Sequence, residues 1–172
     1  TAGAALGTTN NVEHFSDIVA VMMMQNGANL RNPVGTEAEQ ALSFYRLFAE
    51  QPNNVWDSTL DNSILAFAGG RVAFIFAPSW EVFTIRETNP QLKFSVIPIP
   101  QLPGTNVTWA TYWAEGVSNK SEHKEEAWEF LKFLASKESM TQLYTEQAKL
   151  RPFGEPYSRV DLAETLASDP LV

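Results

Sequence analysis

The sequence contains no cysteine and only two histidines, His14 and His123. Without cysteine the chain has neither disulfides nor thiolate metal sites, and this absence is neutral about compartment because many exported proteins lack disulfides. The two histidines lie far apart in sequence, each among polar residues near a predicted helix start. That setting favours a solvated or capping role over metal ligation or base catalysis. We therefore predict no metal site and no cofactor.

Basic residues are also scarce. Lys and Arg together number 12 against 20 Asp and Glu, the net charge is -8, and no run of basic residues stands out. Nucleic-acid binding needs clustered Lys and Arg, so this class of partner is excluded. No apolar run approaches the ~20 residues that span a bilayer. A Gly-x-Ser-x-Gly elbow and a Gly-x-Gly-x-x-Gly phosphate loop are both missing, which leaves hydrolase and nucleotide-binding functions without support.

The two ends of the chain lack the features of natural termini. The opening residues 1–7 have no basic region and no long apolar region, so they are not a signal peptide. They are typical of the middle of a strand, and the chain stops at Val172 without a closing element. We therefore expect an excerpt from a longer protein, with room for an export signal upstream of Thr1.

The composition that is present belongs to a folded protein. Hydrophobic residues make up 44% and charged residues 19% of 172 residues, enough for one domain with a substantial core or for two small lobes. Predicted helices alternate with short apolar strands, which favours an α/β layer architecture. The predicted strands are Ala2–Leu6, Arg71–Phe76 and Leu92–Ile97, and a β-prone aromatic segment covers Val107–Ser118. The predicted helices begin near Val12, Thr36, Asp61, Trp80, Ser121, Lys137 and Asp161. Thr36 and Glu39 are predicted to form a capping box, and Ser79 and Ser121 are predicted to be N-caps.

One stretch, Phe67–Trp80, organises the rest of the chain. Its glycine pair ends a helix, and the apolar run Arg71–Phe76 suits a strand covered on both faces. Pro78 stops the strand, and Ser79 suits the start of a new helix. Trp80 is thereby predicted at the carboxyl end of a strand and the amino end of a helix, where ligands bind in open α/β sheets. The alternative is that Trp80 is an ordinary core residue.

Further aromatic residues lie outside the predicted helical core faces. Trp109, Tyr112 and Trp113 occupy turns and strand ends, and such rings suit the C–H faces of sugars. Trp128 lies beside the apolar face of a predicted helix and is assigned to the core. Glu115 follows the aromatic pair, so it either accepts hydrogen bonds from a ligand or pairs with a nearby cation. Ordinary packing remains the alternative for some of these aromatic residues.

The order and spacing of several motifs resemble a known family. Phe67, Gly70–Phe74 and Trp80 resemble a signature of the extracellular solute-binding proteins of ABC importers, in the sugar-binding family that includes maltose-binding protein. The agreement runs from about residue 4 to about residue 155. Its other elements are the proline crossing Val96–Pro100 with Pro103–Gly104, the segment Glu115–Ser118 followed by Ala127–Leu134, and the helix end Gln25–Ala28.

The resemblance implies a fold and a set of site residues. The expected fold is α/β and periplasmic-binding-protein-like (type II), with most of one lobe and part of the other. Residues 1–96 correspond to the C-terminal-type lobe, residues 97–150 return to the other lobe, and residues 151–172 form a second crossing and the start of a return. The ligand lies in the cleft between lobes. The resemblance implies that the turn with Trp80 and the segment Asn10–His14 face the ligand. Together with the aromatic segment, the predicted ligand-binding residues are Trp80, Tyr112, Trp113, Glu115, Asn11, Asn10 and Trp109.

The resemblance also implies what the protein does. It predicts a non-enzymatic, monomeric binding protein that delivers a sugar to the membrane permease of an ABC transporter. The predicted location is extracellular or periplasmic, and a lipid anchor in a segment outside this chain fits that location. Two alternatives stay open. A carbohydrate-active enzyme needs two carboxylates across the cleft, of which only Glu115 is nominated, and a non-catalytic carbohydrate-binding or adhesive domain needs no transporter.

Overall fold

A computed structural model describes residues 2–52, 54–154 and 157–167. The chain divides into two compact units, Thr1–Ala110 and Thr111–Val172. The first unit contains strand β1 (Ala2–Ala4), helices α1 (Phe15–Gln25), α2 (Thr36–Leu47) and α3 (Ser63–Ala68), strand β2 (Val72–Phe74) and helix α4 (Glu81–Thr88). The second contains α5 (Lys124–Leu134), α6 (Lys137–Gln147) and a short 3-10 turn (Val160–Leu162) that continues into α7 (Ala163–Leu166). This mixture of helix and sheet confirms the predicted α/β class; the predicted lobe boundaries stay a prediction.

Strands β1 and β2 form a parallel pair in which Ala2 lies opposite Val72 and Ala4 lies opposite Phe74. A parallel pair requires a crossover, and α1, α2 and α3 supply it. Because parallel strands end at the same edge of a sheet, the segments after β1 and after β2 leave from one edge. That edge is where ligands bind in open α/β sheets.

The core of the first unit lies around this strand pair. Trp56 is its largest fully buried side chain, and Tyr45 of α2 packs against it. Met23 of α1 packs against Ala38 and Ala41 of α2. The main buried cluster is Ala5, Leu6, Val12, Ile18, Tyr45, Trp56, Ala66 and Val72, and a second cluster of Ile64, Ala68 and Ile85 joins α3 to α4.

Several strand predictions are wrong for the described residues. The run Arg71–Phe76 forms a strand only over Val72–Phe74, and Phe74 is 62% exposed, so this strand is not covered on both faces. Neither Leu92–Ile97 nor Val107–Ser118 forms a strand. A strand needs a neighbour to accept and donate its backbone hydrogen bonds. In the described ranges β1 and β2 pair only with each other, so these β-prone segments have no ladder to join.

The predicted helix caps are also wrong. Helix α2 already includes Thr36, and its N-cap is Gly35 with a φ of 95°. The N-cap of α4 is Trp80, and that of α5 is His123. The backbone turn before each helix decides where the helix begins. In these three helices the N-cap lies one or two residues from its predicted position. The Ser121 hydroxyl accepts the His123 N–H at 3.1 Å, but Ser121 lies two residues before the N-cap of α5.

The assignment of Trp128 to the core is wrong as well. Trp128 lies on α5 and is 52% exposed, and α5 has no buried residue. The apolar spacing correctly indicates a helix, but a core also requires an element over that face. Within the described part of the second unit, α5 contacts α6, and this packing leaves the side chains of α5 partly exposed. None of the described helices combines the length and the apolarity that a membrane crossing requires.

Candidate functional site

Trp80 lies where the sequence predicts, between the end of β2 and the first turn of α4. Its own backbone carbonyl accepts the N–H of Phe83 at 3.0 Å, so Trp80 is built into the start of the helix. The Trp80 side chain is 41% exposed, which separates it from the buried core of this unit. An aromatic side chain with one covered and one open side can receive an apolar ligand face.

His14 is the side chain that holds Trp80. The two rings meet edge to face, with centroids 5.8 Å apart and planes at 79°. His14 is the N-cap of α1 and has a left-handed backbone, with a φ of 56°. That conformation is rare for a residue with a side chain. It occurs here at the point where the chain turns from the β1 loop into α1.

The ring nitrogens of His14 face two carboxylates. Nδ1 lies 3.6 Å from Oδ2 of Asp17, and Nε2 lies 3.6 Å from Oε1 of Glu81. His14 therefore links the first turn of α1 to the first turn of α4. Sequence reasoning assigned His14 a solvated or capping role, but its side chain caps no helix. The contact joins residues far apart in the chain, so no local pattern could have indicated that His14 and Glu81 meet.

A cavity of about 360 Å³ lies beside this contact and is lined by residues 9–16, including His14 itself. The lining is mostly polar and includes Asn10 and Asn11. The cavity follows β1, at the same sheet edge from which the chain leaves β2 toward Trp80. The geometry thus brings Trp80 next to the polar loop 9–14, which contains His14 and is called the site loop below.

Asn11 anchors this loop. Its side chain is 7% exposed, and Nδ2 donates to the carbonyls of Asp57 and Leu60, each at 2.9 Å. Its Oδ1 accepts from Nε1 of the buried Trp56 at 3.1 Å and also from the Thr8 hydroxyl. Because both amide hydrogens and the carbonyl oxygen are engaged within the protein, Asn11 positions the loop. Sequence analysis predicted Asn11 as a ligand contact and did not predict this positioning role.

Asn10 is arranged differently from its neighbour. It is exposed, and its amide nitrogen lies 3.5 Å from the carbonyl of Ser58, a long contact. Of the two predicted asparagines, Asn10 is therefore the one whose amide can turn toward a ligand at little cost.

The loop is fastened to its neighbours on a second side. Glu13 accepts from the Asn62 amide at 2.5 Å, and its backbone N–H donates to the Ser63 hydroxyl at 2.9 Å. Asn62 also caps α3 by accepting the Ile64 N–H at 2.9 Å. The site loop therefore rests on the start of a helix, which suits a site that must keep its shape without a ligand.

The turn beneath the site loop has its own support. The Thr59 hydroxyl and backbone N–H both donate to Asp57, at 2.5 and 2.8 Å, and these bonds hold the pKa of that carboxyl below its usual value. The negative charge stabilises the turn that presents the Asp57 and Leu60 carbonyls to Asn11.

The remaining predicted site residues lie in a segment without helix or strand. Trp109 belongs to the first unit and is partly exposed, whereas Tyr112, Trp113 and Glu115 belong to the second. Trp113 is 98% exposed, and Glu115 is also exposed. Their ligand-binding roles stay a prediction. Across the described ranges, no three histidine or carboxylate side chains come together as metal ligands.

Comparison with known proteins adds one finding. The family model described as "Bacterial extracellular solute-binding protein" matches residues 5–172, nearly the whole chain. No curated protein and no solved structure matches the chain. The match agrees with the family that the motifs around Phe67–Trp80 resemble.

Proposed function

The chain belongs to the family of bacterial extracellular solute-binding proteins, and from this premise we propose that its solute is a carbohydrate. In this proposal the fold is that of a type II periplasmic binding protein, which closes about a hinge around its ligand. The protein then delivers the sugar to the membrane permease of an ABC transporter. One observation carries the proposal: Trp80 is half-exposed and packs edge to face against His14, which lines a polar cavity.

The chemistry of this arrangement suits a sugar ring. A pyranose has an apolar C–H face and a rim of hydroxyls. The open side of Trp80 supports the C–H face. Around it the Asn10 amide and the Glu81 carboxylate offer a hydrogen-bond donor and acceptors for the hydroxyls. A few convergent polar groups beside an aromatic surface are typical of small-molecule sites.

The proposal assigns further ring contacts to Trp109, Tyr112 and Trp113 and a hydrogen-bonding role to Glu115. Exposed aromatic side chains of this size are costly to leave in water, and a ligand that covers them recovers part of that cost. In this proposal residues 1–96 form the C-terminal-type lobe, residues 97–150 return to the other lobe, and residues 151–172 form the second crossing and the start of a return. It also keeps the protein monomeric, because closure around a ligand needs no second copy.

The first test is a titration of the protein with a panel of sugars, followed by tryptophan fluorescence and calorimetry. Trp80→Ala should weaken binding of any responding sugar about tenfold or more, since aromatic contacts contribute about 1 kcal/mol beyond the area they bury. Trp128→Ala is the matched control, because Trp128 is about as exposed as Trp80 (52% against 41%) and lies on α5. This control should bind sugar normally.

Several outcomes would contradict the proposal. A response to peptides or metal ions, with none to any sugar, would refute the carbohydrate assignment. If Trp80→Ala changed stability but no binding, the structural or adhesive alternative would be correct. A sugar turnover that disappeared in Glu115→Gln would favour the enzyme alternative instead.

A further inference from the structure

We infer that the site ranks its solutes by charge: an amino sugar binds more tightly than the neutral sugar, and an acidic sugar binds most weakly. This inference rests on the proposed function. Trp80 and the cavity lined by residues 9–16 define the site. The carboxylates around them determine which charge the site accepts.

Two of these carboxylates lie next to the imidazole of His14, which packs against Trp80. Oδ2 of Asp17 and Oε1 of Glu81 each lie 3.6 Å from a nitrogen of His14. The Glu81 side chain is only 13% exposed and directly follows Trp80 in the chain. Since an imidazole carries at most one positive charge, the three groups together stay negative in either form of His14. Glu13, in the cavity wall, adds a further negative charge.

No cation of the surrounding segments offsets this charge. Residues 1–30 and 72–85, which contain β1, the site loop, α1, β2 and the start of α4, include neither Lys nor Arg. The two arginines that flank residues 72–85 are engaged elsewhere. Arg71 pairs with Asp61, and Arg86 lies 4.6 Å over the Phe94 ring and donates to the Leu92 carbonyl at 3.2 Å.

The consequence for recognition follows from simple electrostatics. A sugar carboxylate, sulfate or phosphate is normally bound by an arginine fork or a lysine, and this wall offers neither. Two like charges about 6 Å apart near a protein surface repel enough, after screening by salt, to change a dissociation constant about tenfold. An ammonium group gains by the same amount, and it can also lie over the open face of Trp80.

The test uses one sugar in three charge states. The tightest-binding neutral sugar of the panel is compared by calorimetry with its 2-amino-2-deoxy analogue, protonated, and with its uronic acid analogue. We expect about tenfold tighter binding for the amino sugar and about tenfold weaker binding for the acid, with both gaps shrinking as salt is added.

Glu81→Gln keeps the size of the side chain and removes its charge, so it should reduce both gaps several-fold. The control is Glu87→Gln, because Glu87 is exposed near the far end of the same helix, and this variant should leave the gaps unchanged. Equal binding of the acidic and neutral sugars, no gain for the amino sugar, or gaps that survive Glu81→Gln would overturn the inference and leave the proposed function standing. Binding of no sugar at all would remove the proposed function, and the inference with it.

Discussion

Replacing Asn11 by alanine tests the support of the site loop most directly. The substitution removes both donors from the Asp57 and Leu60 carbonyls and the acceptor from Nε1 of Trp56. Trp56 is 1% exposed, so its N–H would have no water to replace the lost acceptor. An unpaired buried donor costs about 1–3 kcal/mol. Water can reach the two carbonyls of the turn more easily, so each adds about 0.5–1 kcal/mol. The expected total is about 3 kcal/mol.

Urea denaturation followed by tryptophan fluorescence measures this loss. With a slope of about 2 kcal/mol per molar urea, a loss of about 3 kcal/mol lowers the midpoint by about 1.5 M. Asn10→Ala is the matched control because it removes the same side chain from the adjacent, exposed position. It should cost less than about 0.5 kcal/mol. If Asn11→Ala proved no more destabilising than Asn10→Ala, the loop would be held by something other than this network.

Two further predictions concern stability. Burial raises the pKa of Tyr45 to about 12, against an ordinary value of 10.0, so the folded state holds the phenolic proton more tightly than the unfolded state. The resulting stabilisation is complete below pH 10.0 and is lost as the pH rises through about 12, so urea midpoints should fall over this window and fall less steeply in Tyr45→Phe. An unchanged alkaline slope in that variant would show that other groups cause the loss. Gly7→Ala should destabilise the protein by more than about 2 kcal/mol, because Gly7 has a φ of 100° and an added Cβ would lie 2.7 Å from the backbone nitrogen of Ala49. Gly27→Ala is its control, since Gly27 has a φ of 88° with no atom within 4 Å, and thermal melts of the two variants should differ by the cost of the clash alone.

The sequence predicted the parts of the fold that depend on local pattern. The spacing of apolar residues indicated each helix of the first unit, and the turn chemistry after Phe74 predicted that Trp80 would lie between a strand and a helix, as it does. The strand predictions over Leu92–Ile97 and Val107–Ser118 failed because a strand is a pairing, and the pairing partner is not a property of the segment itself. The prediction that Trp128 is buried failed for the same reason, because other elements decide what covers its side chain.

The candidate site was predictable only in part. Trp80 was found from the motif that contains it, and the loop with Asn10 and Asn11 was found from the family resemblance. Sequence patterns could not predict that Asn11 positions the loop while Asn10 stays exposed, because Asn11 donates hydrogen bonds to a turn far along the chain. The same applies to His14 and Glu81, whose contact joins segments far apart in the chain.

The parallel pairing of β1 with β2 also determines when the site can come into existence during folding. Contacts between α1 and α2 are local and can form early, whereas the alignment of Ala2 with Val72 requires the whole crossover between them to close. The loop that contains His14 and the turn that contains Trp80 belong to opposite ends of that crossover. We therefore expect a partly folded chain to have native helices before the candidate site forms, and ligand affinity to appear late in the folding of this unit.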